Sequence, residues 1–135
     1  MDRTKGETEA PANCRGWVAK FRNAFRGIVQ GVCGQSSFYV HFTVAMAVVI
    51  AGWLLQVTVL EWGLLIVCIT SVLVAEMFNS ALEALAKAID TERNPHLGRA
   101  LDISSAAVLL ASIGAVVLGT TLFVYRLGTA LRWWS

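Results

Sequence analysis

Glu76, Asn79, Ser80 and Glu83 interrupt an otherwise apolar stretch of the chain, and Lys87 and Asp90 follow at the same rhythm. Advancing about 100° per residue from Glu76, a helix gathers these six side chains into a sector of roughly 100°. They form one polar stripe. A carboxylate at the middle of a bilayer costs roughly 2.5–3.5 kcal/mol on insertion scales, and less near the interface. Two on one helix are a real penalty, and such a penalty usually signals function. The alternative is that Glu83 has already reached water and Glu76 snorkels or bonds a neighbouring helix. That explains each charge singly, but not the face both share with Asn79.

Asp102 follows Arg99 at the start of another apolar run, where an acid serves equally as a helix N-cap, a dipole partner or a member of the same polar site. Beyond it, Ser105, Ala106, Ser112 and Gly114 make a small-residue surface suited to close helix packing, with Ser105 nearest the interface. His41 and His96 read as packing and surface residues. The chain has no G-x-x-x-x-G-K-[ST] loop, no G-x-G-x-x-G opening a helix, no Cys/His metal pattern and no Ser-His-Asp arrangement. A soluble-type nucleotide fold is excluded.

The elements that carry these residues follow from composition. Of 135 residues, 56% are hydrophobic and 15% charged, with a mean hydropathy of +0.63. That is too apolar for so small a soluble domain, and the bilayer is the natural solvent. A formal charge of +2 gives no reason to expect a nucleic-acid partner. Cys14, Cys33 and Cys68 show neither metal spacing nor a disulfide framework and read as reduced thiols.

Residues 1–14 read as a disordered polar tail. From 15 to 34, Trp17, Phe21, Phe25, Ile28 and Val32 recur at helical spacing opposite Lys20, Arg22, Asn23 and Arg26, which predicts an amphipathic surface helix. Three spans follow, at about 38–60, 62–83 with the helix continuing to 89, and 102–125, with Asn94-Pro95 in the intervening loop and Pro95 suited to the first turn of a new helix. The expected fold is therefore an all-α membrane protein, a surface helix plus three transmembrane helices. Arg3, Lys5, Arg15, Lys20, Arg22 and Arg26 precede span one, Lys87, Arg93 and Arg99 separate spans two and three, and the loop between spans one and two has no basic residue. The N-terminus and the polar stripe are thus expected on the cytoplasmic side. No cleaved signal is apparent.

Glu76-Met-Phe-Asn79-Ser80-Ala-Leu-Glu83-Ala resembles the E-x-x-N-[ST]-A-[IL]-E-x segment of bacterial diacylglycerol kinases and undecaprenol kinases. Phe21-Arg22-Asn23-Ala24-Phe25-Arg26-Gly27 is similar to the surface helix of the undecaprenol kinase branch. Gly98-Arg99-Ala100-Leu101-Asp102-Ile-Ser-Ser105-Ala106-Ala107-Val108-Leu109 is similar to the start of the family's third span. The likeness covers about Trp17 to Tyr125. It implies a homotrimer in the bacterial inner (plasma) membrane that transfers the γ-phosphate of Mg-ATP to a lipid primary hydroxyl at the cytoplasmic interface.

By that resemblance Glu76 is the general base, Glu83 a ligand of Mg²⁺ beside the ATP phosphates, and Asn79 a residue that steadies the site, with Ser105 near the lipid. Asn23, Glu92, Arg93, Asn94, Leu101 and Asp102 match positions lining the nucleotide site. The chain departs from the family pattern at Gln35, where a glutamate shares the metal, at Leu101, where a lysine stands, and at Lys87, where an aspartate stands. Gln35 retains a carbonyl oxygen for Mg²⁺ but no formal charge. Lys87, one turn beyond Glu83 on the same face, is expected to supply the phosphate-facing charge absent at Leu101.

Two other readings remain open at this stage. One is a non-enzymatic three-span protein, a small channel or transport subunit whose acidic stripe lines an ion path. The other is a degenerate kinase kept for assembly or lipid binding. As to the lipid, the surface-helix likeness leans towards undecaprenol and the family name towards diacylglycerol.

Overall fold

The computed structural model describes residues 13–33, 36–89 and 94–132. They form four helices, α1 (Asn13–Cys33), α2 (Ser36–Leu54), α3 (Val59–Ile89) and α4 (Pro95–Ala130). α2, α3 and α4 are each long and apolar enough to cross a membrane. At 1.5 Å per residue, the 31 residues of α3 extend about 46 Å, well beyond a hydrocarbon core about 30 Å thick. An unbroken α3 can therefore hold apolar residues in the membrane and still carry its last turns out of it.

α2 stops at Leu54, whereas hydropathy alone extends span one to residue 60. Apolar content does not reveal the turn, because Leu55 and Val57 are as hydrophobic as the helix before them. Conformation ends it: Gln56 takes the left-handed region with φ 49°. Thr58 then opens α3. Its backbone N–H donates to Glu61 Oε2 at 2.6 Å and its hydroxyl to the same oxygen at 2.7 Å. This is half of a capping box, with the third residue of the helix reaching back to the cap.

α4 also begins at a defined point. Asn94 has extended backbone angles, and its Oδ1 accepts from the backbone N–H groups of His96 at 3.0 Å and Leu97 at 3.4 Å. Pro95 occupies the first helical position, where its missing N–H leaves no bond unmade. Asp102 consequently lies two turns inside α4. The capping role considered for it is corrected, because Asn94 performs it.

α3 and α4 form the principal antiparallel pair, and α1 and α2 pack mainly on α3. The buried apolar cluster is small, Val57, Leu65 and Leu122, with Val48, Leu55, Trp62 and Phe123 packed around it. It lies near the turn joining α2 to α3. There Arg126 on α4 embraces the Glu61 carboxylate, with Nε 2.9 Å from each oxygen and Nη2 also bonded to Oε2. Elsewhere Val67, Leu109, Leu110, Val116 and Val117 face outward and exposed. Such surfaces are expected where lipid tails rather than water are the surroundings.

Candidate active site

The ends of the helices opposite the Glu61–Arg126 pair bring together the start of α2, the second half of α3 and the start of α4. The stripe on α3 points inward here. Glu76, Asn79 and Ser80 are buried, Glu83 is half-buried and Lys87 is exposed. Glu76, at 2% exposure, is the most enclosed carboxylate described.

The carboxylate of Glu76 is met from α2. Ser37 donates its hydroxyl to Oε1, and His41 Nε2 stands 3.8 Å from Oε2. A turn along α3, Asn79 uses both ends of its amide. Nδ2 donates to Glu83 Oε1 at 3.0 Å, and Oδ1 accepts from Ser104 Oγ at 2.6 Å. Ser104 Oγ also lies 2.8 Å from the Leu101 carbonyl oxygen, and Ser105 Oγ lies 3.4 Å from Asn79 Oδ1. A hydroxyl has one proton to give, and the shortest distance assigns that of Ser104 to Asn79. A chain of contacts thus runs from α4 through Asn79 to Glu83.

The Asn79–Ser104 contact sets the register of the pair. One turn further along α3 and one turn back along α4, Glu83 comes level with Leu101 and Asp102, two residues proposed from sequence for the nucleotide site. Asp102 is exposed and Leu101 half-buried. Asn23 is exposed on α1, and Asn94 is occupied as the cap of α4. Gln35, Glu92 and Arg93 lie outside the described residues.

Among the described residues, no three His, Cys, Asp or Glu side chains cluster as they would around a resident metal. The half-buried Glu83 carboxylate is an oxygen donor of the kind Mg²⁺ takes. That ion commonly accepts one or two carboxylates and completes its shell with water and substrate phosphates.

Three participants escaped the sequence reading. His41, read there as a packing residue, packs from α2 with its Nε2 3.8 Å from Glu76 Oε2. The fold brings it in from another helix, and only its place one turn after Ser37 hints at a shared face. Ser104 was passed over in favour of Ser105, though a helix of slightly different phase turns the former inward. Ser37 gave no signal of its own.

Below Glu76, α2, α3 and α4 form a half-open apolar cavity of about 540 Å³, lined by residues including Val44, Val48, Leu65, Ile69, Val116 and Phe123. His41 borders it near Glu76. Ser112 Oγ is buried there, without a hydrogen-bond partner among the described residues.

Residues 22–123 match the sequence profile of a family described as prokaryotic diacylglycerol kinase. The chain is 27% identical over 107 residues to an undecaprenol kinase of Bacillus subtilis, a match covering 79% of this chain and 87% of that protein. It is 46% identical over 74 residues to a diacylglycerol kinase of Escherichia coli K12, covering 55% of this chain and 60% of that protein, so the match spans less than two thirds of that relative. With a diacylglycerol kinase of Helicobacter pylori it shares 32% identity over 109 residues, 78% of this chain and 84% of the relative.

Proposed function

The chain belongs to the prokaryotic diacylglycerol kinase family and is a lipid kinase by class, and from that premise we propose that it transfers the γ-phosphate of Mg-ATP to the primary hydroxyl of diacylglycerol or undecaprenol. The enzyme acts as a homotrimer in the bacterial inner membrane, with N-terminus and site on the cytoplasmic side and α1 at the membrane surface. The observation that carries this reading is the stripe itself. A buried carboxylate, Glu76, stands two turns from a half-buried one, Glu83, and the Asn79 amide lies between them, held from α4.

Phosphoryl transfer asks little covalent help of a protein. It needs the acceptor oxygen in line with the phosphorus and the phosphate charge neutralised. Glu76 takes the proton of the lipid hydroxyl as the oxygen attacks, the O–P bond to the nucleotide breaks, and ADP leaves. Burial keeps bulk water from competing as acceptor. Glu83, fixed by the Asn79 amide, would hold the metal that accompanies ATP, with Gln35 as a second oxygen donor. Mg²⁺, when bound, supplies charge neutralisation at the phosphates. Asn23, Glu92, Arg93, Asn94, Leu101 and Asp102 line the nucleotide site, Ser105 stands near the lipid, and Lys87 reaches towards the phosphates.

An ion path would require the polar stripe to continue along α3. Past Glu76 the buried positions on that helix are Val72 and Leu65 instead, which favours a site at one end over a channel. The test is a radiolabelled ATP assay on the full chain in lipid or mild detergent, offering both alcohols with Mg²⁺ and then with the metal chelated. Label in one lipid, lost on chelation and in a Glu76→Gln variant, is the expected result. No labelled lipid with either alcohol overturns the kinase reading for this chain. A correctly assembled but inactive parent points to a degenerate member.

A further inference from the structure

The two oxygens of Glu76 are approached by two residues one turn apart on α2. Ser37 donates to Oε1, and His41 Nε2 faces Oε2 at 3.8 Å. Residues at this spacing share a helix face, so one surface of α2 addresses both ends of the carboxylate. The side chain of Glu76 is 3% exposed, whereas that of His41 is 22% exposed and borders the apolar cavity. A buried carboxylate on a long flexible stem has several rotamers open to it, and a base contributes only while its lone pair points at the proton it removes.

We propose that Ser37 and His41 are positioning residues that orient Glu76 towards the acceptor hydroxyl, with the imidazole donating from Nε2 to Oε2. The inference rests on the reading of Glu76 as proton acceptor and extends it to α2, which the stripe on α3 does not include. A carboxylate offers about four lone-pair sites. One is taken by Ser37 and one is faced by His41, which leaves two for the substrate. The Nε2–Oε2 separation is longer than a hydrogen bond and shortens when the acceptor fills the cavity side, as catalytic contacts commonly do on substrate binding. Ser37 fixes one oxygen without a titrating group. His41 faces the other from the wall of the apolar cavity, so filling that cavity beside His41 would bear on the orientation of the base.

The test uses the full chain in mild detergent and compares His41→Ala, His41→Gln and His41→Asn. The Gln amide nitrogen reaches about as far as Nε2, whereas the shorter Asn mimics only the Nδ1 position. Loss of orientation lowers kcat by about tenfold or more, with the KM for ATP unchanged, in His41→Ala and His41→Asn. His41→Gln recovers most of it. Equal kcat in parent and His41→Ala, or His41→Gln no better than His41→Ala, overturns the proposal. Glu76→Gln separates the two levels. If it keeps the parent rate, the base assignment falls and the cradle with it. If it is inactive while His41→Ala is not, the cradle alone falls. Independently of turnover, the infrared carboxylate band assigned to Glu76 by difference from Glu76→Gln shifts in His41→Ala and returns in His41→Gln. A band that ignores His41 overturns the proposal, and melting curves of each variant identify loss through misfolding.

Discussion

Ser104 Oγ lies 2.6 Å from Asn79 Oδ1, joining α4 to α3 inside the membrane-spanning bundle. The same amide donates to Glu83 Oε1, so the placement of one carboxylate depends on a hydroxyl from another helix. The contact with Glu83 fixes the amide, since turning it over would set the Asn79 oxygen against the Glu83 carboxylate, where neither group can donate.

Removing that hydroxyl tests the dependence. In Ser104→Ala, Asn79 loses its close donor, and the remaining one, Ser105 at 3.4 Å, is too distant to hold it well. A lost hydrogen bond of this kind costs about 1 kcal/mol, so about a fivefold fall in kcat/KM for Mg-ATP is expected. Ser105→Ala changes that ratio less. Steady-state kinetics with varied nucleotide measure both, and equal effects of the two substitutions contradict the assignment.

Lys87 offers a second test, at the site proposed for the nucleotide. It is exposed, one turn beyond Glu83 on the face shared with Asn79. If it meets the phosphates, Lys87→Ala raises the KM for ATP by about tenfold, the worth of one charge-assisted bond at a partly solvated site. Lys87→Arg retains most of the affinity. Placing lysine at Leu101 in the Lys87→Ala background restores part of the loss. Unchanged KM and turnover in Lys87→Ala remove it from the site.

At the far end of the bundle, the Glu61–Arg126 pair joins the first turn of α3 to the last turns of α4, and Glu61 also accepts from Thr58. Arg126→Ala removes the inter-helix contact but leaves the cap, whereas Glu61→Ala removes both. Melting in detergent is expected to fall for each, and further for Glu61→Ala, with KM for ATP unchanged because the residues proposed for the nucleotide site lie at the opposite end. Arg126→Lys recovers only part of the loss, since an ammonium cannot reproduce the guanidinium fork.

These contacts divide according to how far apart in sequence their partners lie. The stripe from Glu76 to Lys87 was legible because one helix carries it and the helical period places it. Pro95 after Asn94 marked the start of α4 for a similar local reason. His41 and Ser37 meet Glu76 from 35 and 39 positions earlier, and nothing local to either announces it. The early end of α2 was hidden for another reason. Hydropathy sums side-chain character, whereas Gln56 stops the helix through its backbone angles.

The α2–α3 turn also fixes the most demanding packing contact. A Cβ at Gly52 would lie 2.9 Å from Trp62 Cη2 and 3.2 Å from Cζ2, whereas one at Gly31 would meet Met77 Sδ at 2.7 Å. The second approach is shorter, yet it is the less costly. A thioether at the end of a flexible chain can swing aside, while the Trp62 indole is rigid and sits beside the Val57–Leu65–Leu122 cluster. Gly52→Ala is therefore expected to destabilise by about 1–3 kcal/mol, the usual range for overpacking, and Gly31→Ala by less than about 1 kcal/mol, the range for changes a site can absorb. Unfolding in mixed detergent micelles measures both, and Gly52→Ala, Trp62→Leu should recover much of the first loss by removing the ring the methyl meets. If the single Gly31 substitution is the more damaging, the α1–α3 contact is tighter and less adaptable than the flexibility of Met77 implies.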